Sequence, residues 1–391
     1  MPWKETCAMD QRVQFIGAWL SGRYSKSALC RHFGISRPTG DKWIRRHALV
    51  GVDGLKESSR APHNQPNRIS EALCERIVQA KLAHQDWGPK KVLDWLRARE
   101  PEVVWPADST GGEILRRAGL VKPRRRRRVV PPHEAPFADC EQSNAVWAVD
   151  FKGDYRLGEG RRCYPLTLSD SFSRYLLLCR GLARPSGAAV HPWFEWAFRE
   201  YGLPQAIRSD NGAPFASRAV GGLSALSKWW IDLGIHPERI RPGRPDQNGR
   251  HERMHRSLKG WLGTPAQGLE AEQRRLEAFR AEYNWERSHE ALSRRTPGSL
   301  YAASPRPYPP CIEPPDYDQG VEVRRVRNNG EIKWRGRLIY LSEVLIGEPV
   351  ALEPAGDGLW ELRYRFHPLG LLNEQNDRIT PARGWHGDPK V

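Results

Sequence analysis

No stretch of this chain approaches the ~20 consecutive apolar residues that a bilayer span requires, so no membrane-spanning helix is expected. The opening MPWKETCAMDQRVQ lacks a basic-then-apolar leader, which predicts no export signal. Cysteine is sparse: Cys7, Cys30, Cys74, Cys140, Cys163, Cys179 and Cys311 are odd in number, scattered and never spaced CxxC. That pattern argues against a disulfide framework or a cysteine-rich zinc site and predicts a reducing, cytoplasmic setting. Neither GxSxG nor a GxxxxGKS/T phosphate loop occurs, so no nucleotide is expected as a partner. Acidic residues are outnumbered, with 46 Asp+Glu against 62 Lys+Arg, a formal net charge of +16 over 391 residues. Such an excess points to a polyanionic partner.

The length suggests about two to four domains, and the charge is unevenly shared among them. Residues 1–135 hold 26 Lys+Arg and 14 Asp+Glu, a net of +12, which leaves +4 for the remainder. The run Arg124, Arg125, Arg126, Arg127 and Arg128 places five cations side by side, and they repel one another unless a polyanion neutralises them.

Within the basic third, YSKSALCRHFGISRPTGDKWIRRH reads as two helices about a tight turn. Ser25 caps the first, Gly34 permits a positive φ at the turn, and Ser36 caps the second. This is helix-turn-helix spacing, which directs Arg37, Thr39, Lys42, Arg45 and Arg46 toward the major groove of double-stranded DNA. After RAPHNQPNR, apolar residues at helical spacing predict a helix over Ile69 to Ala83, a restart at Gly88-Pro89, and a third helix over Ile114 to Ala118 capped by Asp108 or Ser109. These form a second helical unit.

Beyond a Pro- and Arg-rich linker the patterning changes. VWAVDF, CYPLTL, YLLLC and QAIRS are short apolar runs bounded by turn residues, read as strands, and AAVHPWFEWAFREY reads as a buried helix. Together they predict an α/β domain with a mixed sheet. SPRPYPPCIEPPDYD reads as a spacer. Period-two runs at Val321, Ile332 to Trp334, Leu338 to Leu341, Val350 to Leu352 and Leu359 to Tyr364 predict a small five-stranded antiparallel barrel with a loose tail from Asn373. The expected fold is therefore multidomain. Helix-turn-helix units occupy 1–60 and 61–120, followed by a linker over 121–143. A central α/β core spans 144–301, a spacer 302–319, an all-β barrel 320–372 and a tail 373–391. Of the 16 Trp, most sit in apolar runs as core, and Trp261 and Trp334 are the candidates for stacking on bases.

Three acids stand where charge is costly or exposed by a turn. Asp150 lies inside VWAVDF, Asp210 follows the strand QAIRS and precedes Asn211-Gly212, and Glu252 lies in a helix starting near Gln247. In-line phosphodiester chemistry needs both the attacking and the departing oxygen stabilised. Two Mg²⁺ ions bridged by two or three carboxylates on rigid elements do this, and Mn²⁺ can substitute. Arg256 and Lys259 share a helix face with Glu252 at i+4 and i+7 and could hold the flanking phosphates.

The motifs VWAVDFKG, IRSDNGAPF, RPGRPDQNGRHERMHRSLK, YNWERSHEAL and TPGSLY resemble those of bacterial insertion-sequence transposases with a retroviral-integrase-type core, of the IS three and IS four-eight-one types. The resemblance spans about residues 144–301 and implies a ribonuclease-H-like core. It implies that Asp150, Asp210 and Glu252 bind metal, with Asn211, Gly212, Asn248 and Gly249 supporting the site and Arg256 and Lys259 contacting DNA. It further implies strand hydrolysis at each transposon end, attack of the freed 3′-hydroxyl on target DNA, and a homodimer or larger assembly that pairs two ends. Three departures accompany it. Forty-one residues separate Asp210 from Glu252 where about 35 are common, which predicts an extra turn or flap around Gly221 to Lys228; Ser288 replaces a proline in YNxxRPHxAL; and the zinc-binding His-His-Cys-Cys module is missing. The rival readings are a DNA-binding regulator on a decayed core and a structure-specific nuclease.

Overall fold

The computed structural model describes residues 7–57, 68–121, 140–217, 222–240 and 248–381. Arg124 to Arg128 lie outside the described residues. The chain divides into two compact units, Met1–Arg68 and Ile69–Val391.

The first unit is three helices, α1 (Ala8–Leu20), α2 (Lys26–His32) and α3 (Arg37–Val50), around Phe15, Ile16, Leu29, Cys30, Trp43 and Leu55. Ser25 and Ser36 cap α2 and α3 through the backbone N–H groups of Ala28 and Thr39, and Gly34 takes φ +64° between them. Gly40 is required by close packing, since a Cβ there would stand 2.7 Å from Cys30 Sγ. Helix α1 carries no conventional start signal. Its cap is Cys7, whose sulfur accepts from Asp10 N while the Asp10 carboxylate accepts from Cys7 N.

The second unit opens with α4 (Glu71–Ala83), α5 (Pro89–Arg99) and α6 (Asp108–Arg117), packed on Ile77, Trp87, Val92, Leu93 and Leu115. The expected cap on α6 is corrected. Ala107 occupies the cap position and neither Asp108 nor Ser109 caps, because the Asp108 carboxylate accepts instead from Arg97 and Arg294.

The strands that follow are β1 (Val146–Phe151), β2 (Tyr155–Arg156), β3 (Arg162–Asp170), β4 (Leu176–Leu182), β5 (Ala206–Ser209) and β6 (His236–Arg239). They form a mixed sheet in the order β2-β3-β1-β5-β6, with β4 on β3. β1 runs antiparallel to β3 and parallel to β5. Helices α7 (Gly187–Tyr201) and α8 (Ala225–Asp232) pack with Trp147, Val149, Phe194, Phe198 and Trp230. Helices α9 (Gly249–Leu262) and α10 (Leu269–Trp285) join Leu176, Cys179, Met254, Leu258 and Phe279 in a separate cluster. Side chains alternate along β1, so Trp147 and Val149 face α7 and α8 while Ala148 and Asp150 face the other way.

The extra spacing before Glu252 is not a flap where it is described. It holds α8 and β6, with Leu226 and Trp230 in the sheet core and Leu223 and Ile231 in the core of the C-terminal sheet. The Pro-rich stretch is not a free spacer either. Leu203 N donates to Arg306 O, Arg306 donates to the carbonyls of Pro204, Leu233 and Gly234, and Tyr301 stacks on Tyr175.

At the C-terminal end, β7 (Glu322–Arg325), β10 (Pro349–Gly356), β11 (Leu359–Tyr364), β12 (His367–Asn373) and β13 (Arg378–Pro381) pair antiparallel in the order β13-β12-β11-β10-β7. β8 (Glu331–Trp334) and β9 (Arg337–Tyr340) form a separate hairpin. No pairing closes the five strands into a barrel among the described residues. The expected loose tail is corrected as far as Pro381, because Arg378–Pro381 is a strand on β12. Trp334 is buried on Trp360, which removes it as a base-stacking candidate. Half-buried Trp261 donates to Glu282.

Candidate active site

The parallel pair β1 and β5 aligns Val146 with Ala206 and Ala148 with Arg208. Extending that register by two residues brings Asp150 beside Asp210 at the carboxyl ends of the two strands. Asp210 begins a turn in which its Oδ1 accepts from Gly212 N at 3.1 Å, and Asn211 ties the turn to the end of β6 by donating to Ile240 O at 2.8 Å. A Cβ at Gly212 would approach Asp210 Oδ2 to 3.0 Å, so glycine leaves room for the carboxylate where it folds back over the turn. Buried Asn248 precedes α9 without a side-chain cap bond, and a Cβ at Gly249 would meet no described atom within 4 Å.

Glu252 is exposed in the first turn of α9. Its charge reaches Asp150. Burial first, then the charges of Asp210 and Glu252, push the Asp150 carboxyl up to about 7. Three acids thus bear on one corner of the sheet, and they repel. An all-oxygen donor set of this kind suits a hard divalent cation, and the repulsion is what such a cation would relieve. Among the described residues, no three of His, Cys, Asp and Glu already stand close enough to hold an ion together. Arg256 and Lys259 are exposed on the Glu252 side of α9, and no ion pair joins Glu252 to Arg256 among the described residues.

One set of residues escaped the sequence reading. Behind Asp150, the Thr167 hydroxyl lies 2.7 Å from Nε2 of both His251 and His255, and it donates to Asp150 O at 3.0 Å. Ser169 Oγ meets His251 Nδ1 at 2.9 Å, and His255 Nδ1 stands 3.8 Å from Asp150 Oδ2. The network is satisfied if both imidazoles are neutral and carry their proton on Nε2, an assignment made from the bonding pattern. Its sequence signal was His251 and His255 at i, i+4 on the buried face of α9.

Burial lowers His251 to about 3 and His255 to about 2. A histidine depressed in the fold binds its proton more readily in the unfolded chain. The stability these residues hold is therefore complete above pH ~6.5 and is lost as pH falls below that value. Because Asp150 titrates in the opposite sense over the same range, the histidine part is read from the difference between variants. Between pH 7 and pH 4 the urea midpoint of His255→Gln is expected to fall less than that of wild type, and equal pH dependence in the two would contradict a neutral buried His255.

In the first unit, Lys42 and Arg45 are exposed on α3. Arg37 is also exposed but donates to Ser27 Oγ, and Thr39 Oγ1 is 2.9 Å from Ser36 Oγ at the cap. Arg46 is turned inward, over the Trp43 ring and onto Lys56 O at 2.8 Å. The five candidates of α3 are thus not equivalent.

A helix-turn-helix unit and a mixed-sheet core with acids at two strand ends and on a facing helix define a DNA-processing protein of the integrase-core class. Residues 141–245 match the family described as Integrase core domain, and residues 233–297 match a second family of that description. Residues 11–63 match a Helix-turn-helix domain and 39–115 a Homeodomain-like domain. The insertion element IS407 uncharacterized 31.7 kDa protein of Burkholderia multivorans is 29% identical over 259 residues, covering 64% of this chain and 87% of that protein. The insertion element IS476 uncharacterized 39.2 kDa protein of Xanthomonas euvesicatoria is 28% identical over 291 residues, 71% of this chain and 72% of that protein. A chain of the solved simian T-cell lymphotropic virus intasome in complex with PP2A regulatory subunit B56 gamma is 16% identical, covering 72% of this chain and 91% of that one at a TM-score of 0.36. These matches support a bacterial insertion-sequence transposase with an integrase-type core and helix-turn-helix units, an enzyme of the polynucleotidyl transferase class.

Proposed function

We propose that this transposase binds the terminal inverted repeats of an insertion sequence, hydrolyses a DNA strand at each end, and joins the freed 3′-hydroxyl ends to target DNA. The observation that supports this reading most directly is the pressure of Asp210 and Glu252 on Asp150 at the carboxyl edge of β1 and β5. Asp150, Asp210 and Glu252 would hold the divalent cations, two Mg²⁺ or Mn²⁺ in their place, which supply Lewis-acid activation of the phosphate and of the attacking water or hydroxyl. The chain's own part is placement. β1 and β5 fix two carboxylates on sheet backbone, α9 presents the third, and the buried Thr167, His251 and His255 network anchors α9 to the strand beneath Asp150. Arg256 and Lys259 bind phosphates beside the reacting one, which fixes the strand in register. No nucleophilic side chain is called for, because the attacking oxygens come from water and from DNA.

End recognition falls to the helical units. Lys42 and Arg45 on α3 face the duplex, Arg37 and Thr39 divide their bonding with α2 and the cap, and Arg46 supports the helix. Lys42→Ala and Arg45→Ala are expected to weaken binding of a labelled end duplex and to reduce its salt slope by about one charge each. Arg46→Ala is expected instead to lower the melting temperature, and the reverse assignment would show up in the same two measurements. Arg124 to Arg128 would neutralise phosphates of the bound DNA. Two ends must meet, so a homodimer or larger assembly on DNA in the bacterial cytoplasm is the working state.

The test is incubation of the full chain with a labelled duplex carrying the element's own end and a target duplex, with Mg²⁺ or Mn²⁺. Nicked and joined products support the reading. Tight binding of the end with no product in any metal would favour the regulator.

A further inference from the structure

The turn from β3 to β4 carries Arg174 at φ +63°, in the left-handed region that long side chains enter at a cost. The turn is held by Asp170, whose Oδ2 accepts from Ser173 N at 2.7 Å and Ser173 Oγ at 2.6 Å, and whose Oδ1 accepts from Asn144 N at 2.8 Å. Both oxygens of Asp170 are thus engaged by the turn and its neighbour. Arg174 Nε is buried without a hydrogen-bond partner, and among the described residues Arg174 makes no ion pair.

The groups around it add positive charge. Arg250 of α9 donates to Ser171 O in the same turn at 2.7 Å, and Arg253 is exposed one helical step further on. Arg174 and Arg250 line one small cleft with Asp170, Asn248, His251 and Tyr283. Next to it, His289 Nε2 is also buried without a partner, under the combined charge of Lys91, Arg287, Arg174 and Arg253. The carboxylates on this side are committed elsewhere: Asp86 pairs with Arg287, and Asp94 with Arg294. A strained turn that holds a half-buried arginine with an unpaired Nε among other cations suits an anion from outside the chain.

We propose that Arg174, together with Arg250 and Arg253, binds a backbone phosphate of DNA. The proposal rests on the DNA-processing reading above and extends it to a second lane on α9. Glu252, Arg256 and Lys259 form one stripe of that helix, while Arg250, Arg253 and Ser257 form the next, at i, i+3 and i+7. The second stripe leads toward Arg287, which bonds both Ser257 and Asp86 of the second helical unit. A strand leaving the acids over this stripe runs toward that unit, and Arg174 grips it a few nucleotides from the reacting bond.

Phosphate-ethylation interference with the full chain and a labelled end duplex tests this. In wild type, ethylation of one or two phosphates near the cleavage position should weaken binding. In Arg174→Gln those phosphates should become indifferent, affinity should fall about three- to tenfold, and the salt slope should drop by about one. Arg174→Lys should keep part of the effect. Identical interference maps for wild type and Arg174→Gln would overturn the proposal while leaving the DNA reading intact; a wild type that binds no duplex would overturn both. If Arg174→Gln fails to fold, exposed Arg253→Gln carries the test, and an unchanged map there is equally decisive against it.

Discussion

Asp150→Asn, Asp210→Asn and Glu252→Gln are each expected to lower cleavage and joining of an end duplex by about 10³-fold or more in Mg²⁺, with duplex binding within about twofold of wild type. A factor of 10³ corresponds to about 4 kcal/mol of lost transition-state stabilisation, within the range a cation-binding carboxylate can account for. An amide keeps the shape of the side chain but offers the cation no charge. The folded protein should respond in the opposite sense. Asp150 titrates at about 7 in the fold against an ordinary 3.8, so the native state holds a proton that the unfolded chain has already released. Its contribution to stability is therefore greatest at low pH and is lost as pH rises from about 4 through 7. At pH 8 without metal, the charged carboxylate costs the fold at most about 4 kcal/mol, and Asp150→Asn removes that cost. The variant should melt a few degrees above wild type in chelator, and saturating Mg²⁺ should raise wild type but not the variant. An Asp150→Asn protein that still cuts DNA, or that melts lower in chelator, would remove Asp150 from the site.

The same residue shows why much of this site could be read from sequence. A carboxylate inside an apolar strand conflicts with the local pattern, and such conflicts mark sites where function overrides folding. Asp210 before Asn-Gly was visible for a related reason, since the turn that ends β5 must expose it. What stayed hidden lacked a local conflict. Helix α1 begins at a cysteine cap, which is not a usual start signal. Helix α8 and β6 sit in a segment whose apolar residues serve two cores at once, so no single face stands out. β13 follows the polar stretch Asn373 to Asp377, which reads as a tail until its pairing with β12 is seen. His251 and His255 looked like ordinary members of a buried helical face. Their importance depends on Thr167, some eighty residues earlier, and only the register of β1 with β3 brings that hydroxyl beneath them.

Ser288 is the position where a departure from the family motif has a structural reason. Its hydroxyl donates to Asp94 at 2.8 Å and its carbonyl accepts from Lys91. The segment around it forms a polar seam with the second helical unit: Trp95 Nε1 donates to Glu286 at 2.8 Å, and Arg294 pairs with Asp94 and Asp108. At its centre Arg287, 9% exposed, holds Asp86, 15% exposed, at 2.5 Å, and reaches Ser257 on α9 at 3.2 Å. Asp86→Ala would leave a buried guanidinium without its counter-charge, which costs about 3–5 kcal/mol. Loss of that size should free α4 and α5 from the core. Because the same guanidinium holds α9, it should also loosen the helix that carries Glu252. Hydrogen exchange is expected to accelerate in residues 71–99 and 249–262 together, with cleavage reduced and α3-directed binding of end DNA retained. Replacing both partners, Asp86→Leu with Arg287→Met, removes the stranded charge and should recover most of the stability. Ser288→Pro removes the hydroxyl that donates to the Asp94 carboxylate and should cost about 1.5–3 kcal/mol. If exchange rises in 71–99 but not in 249–262, the seam is a docking contact and Arg287 has no part in positioning α9.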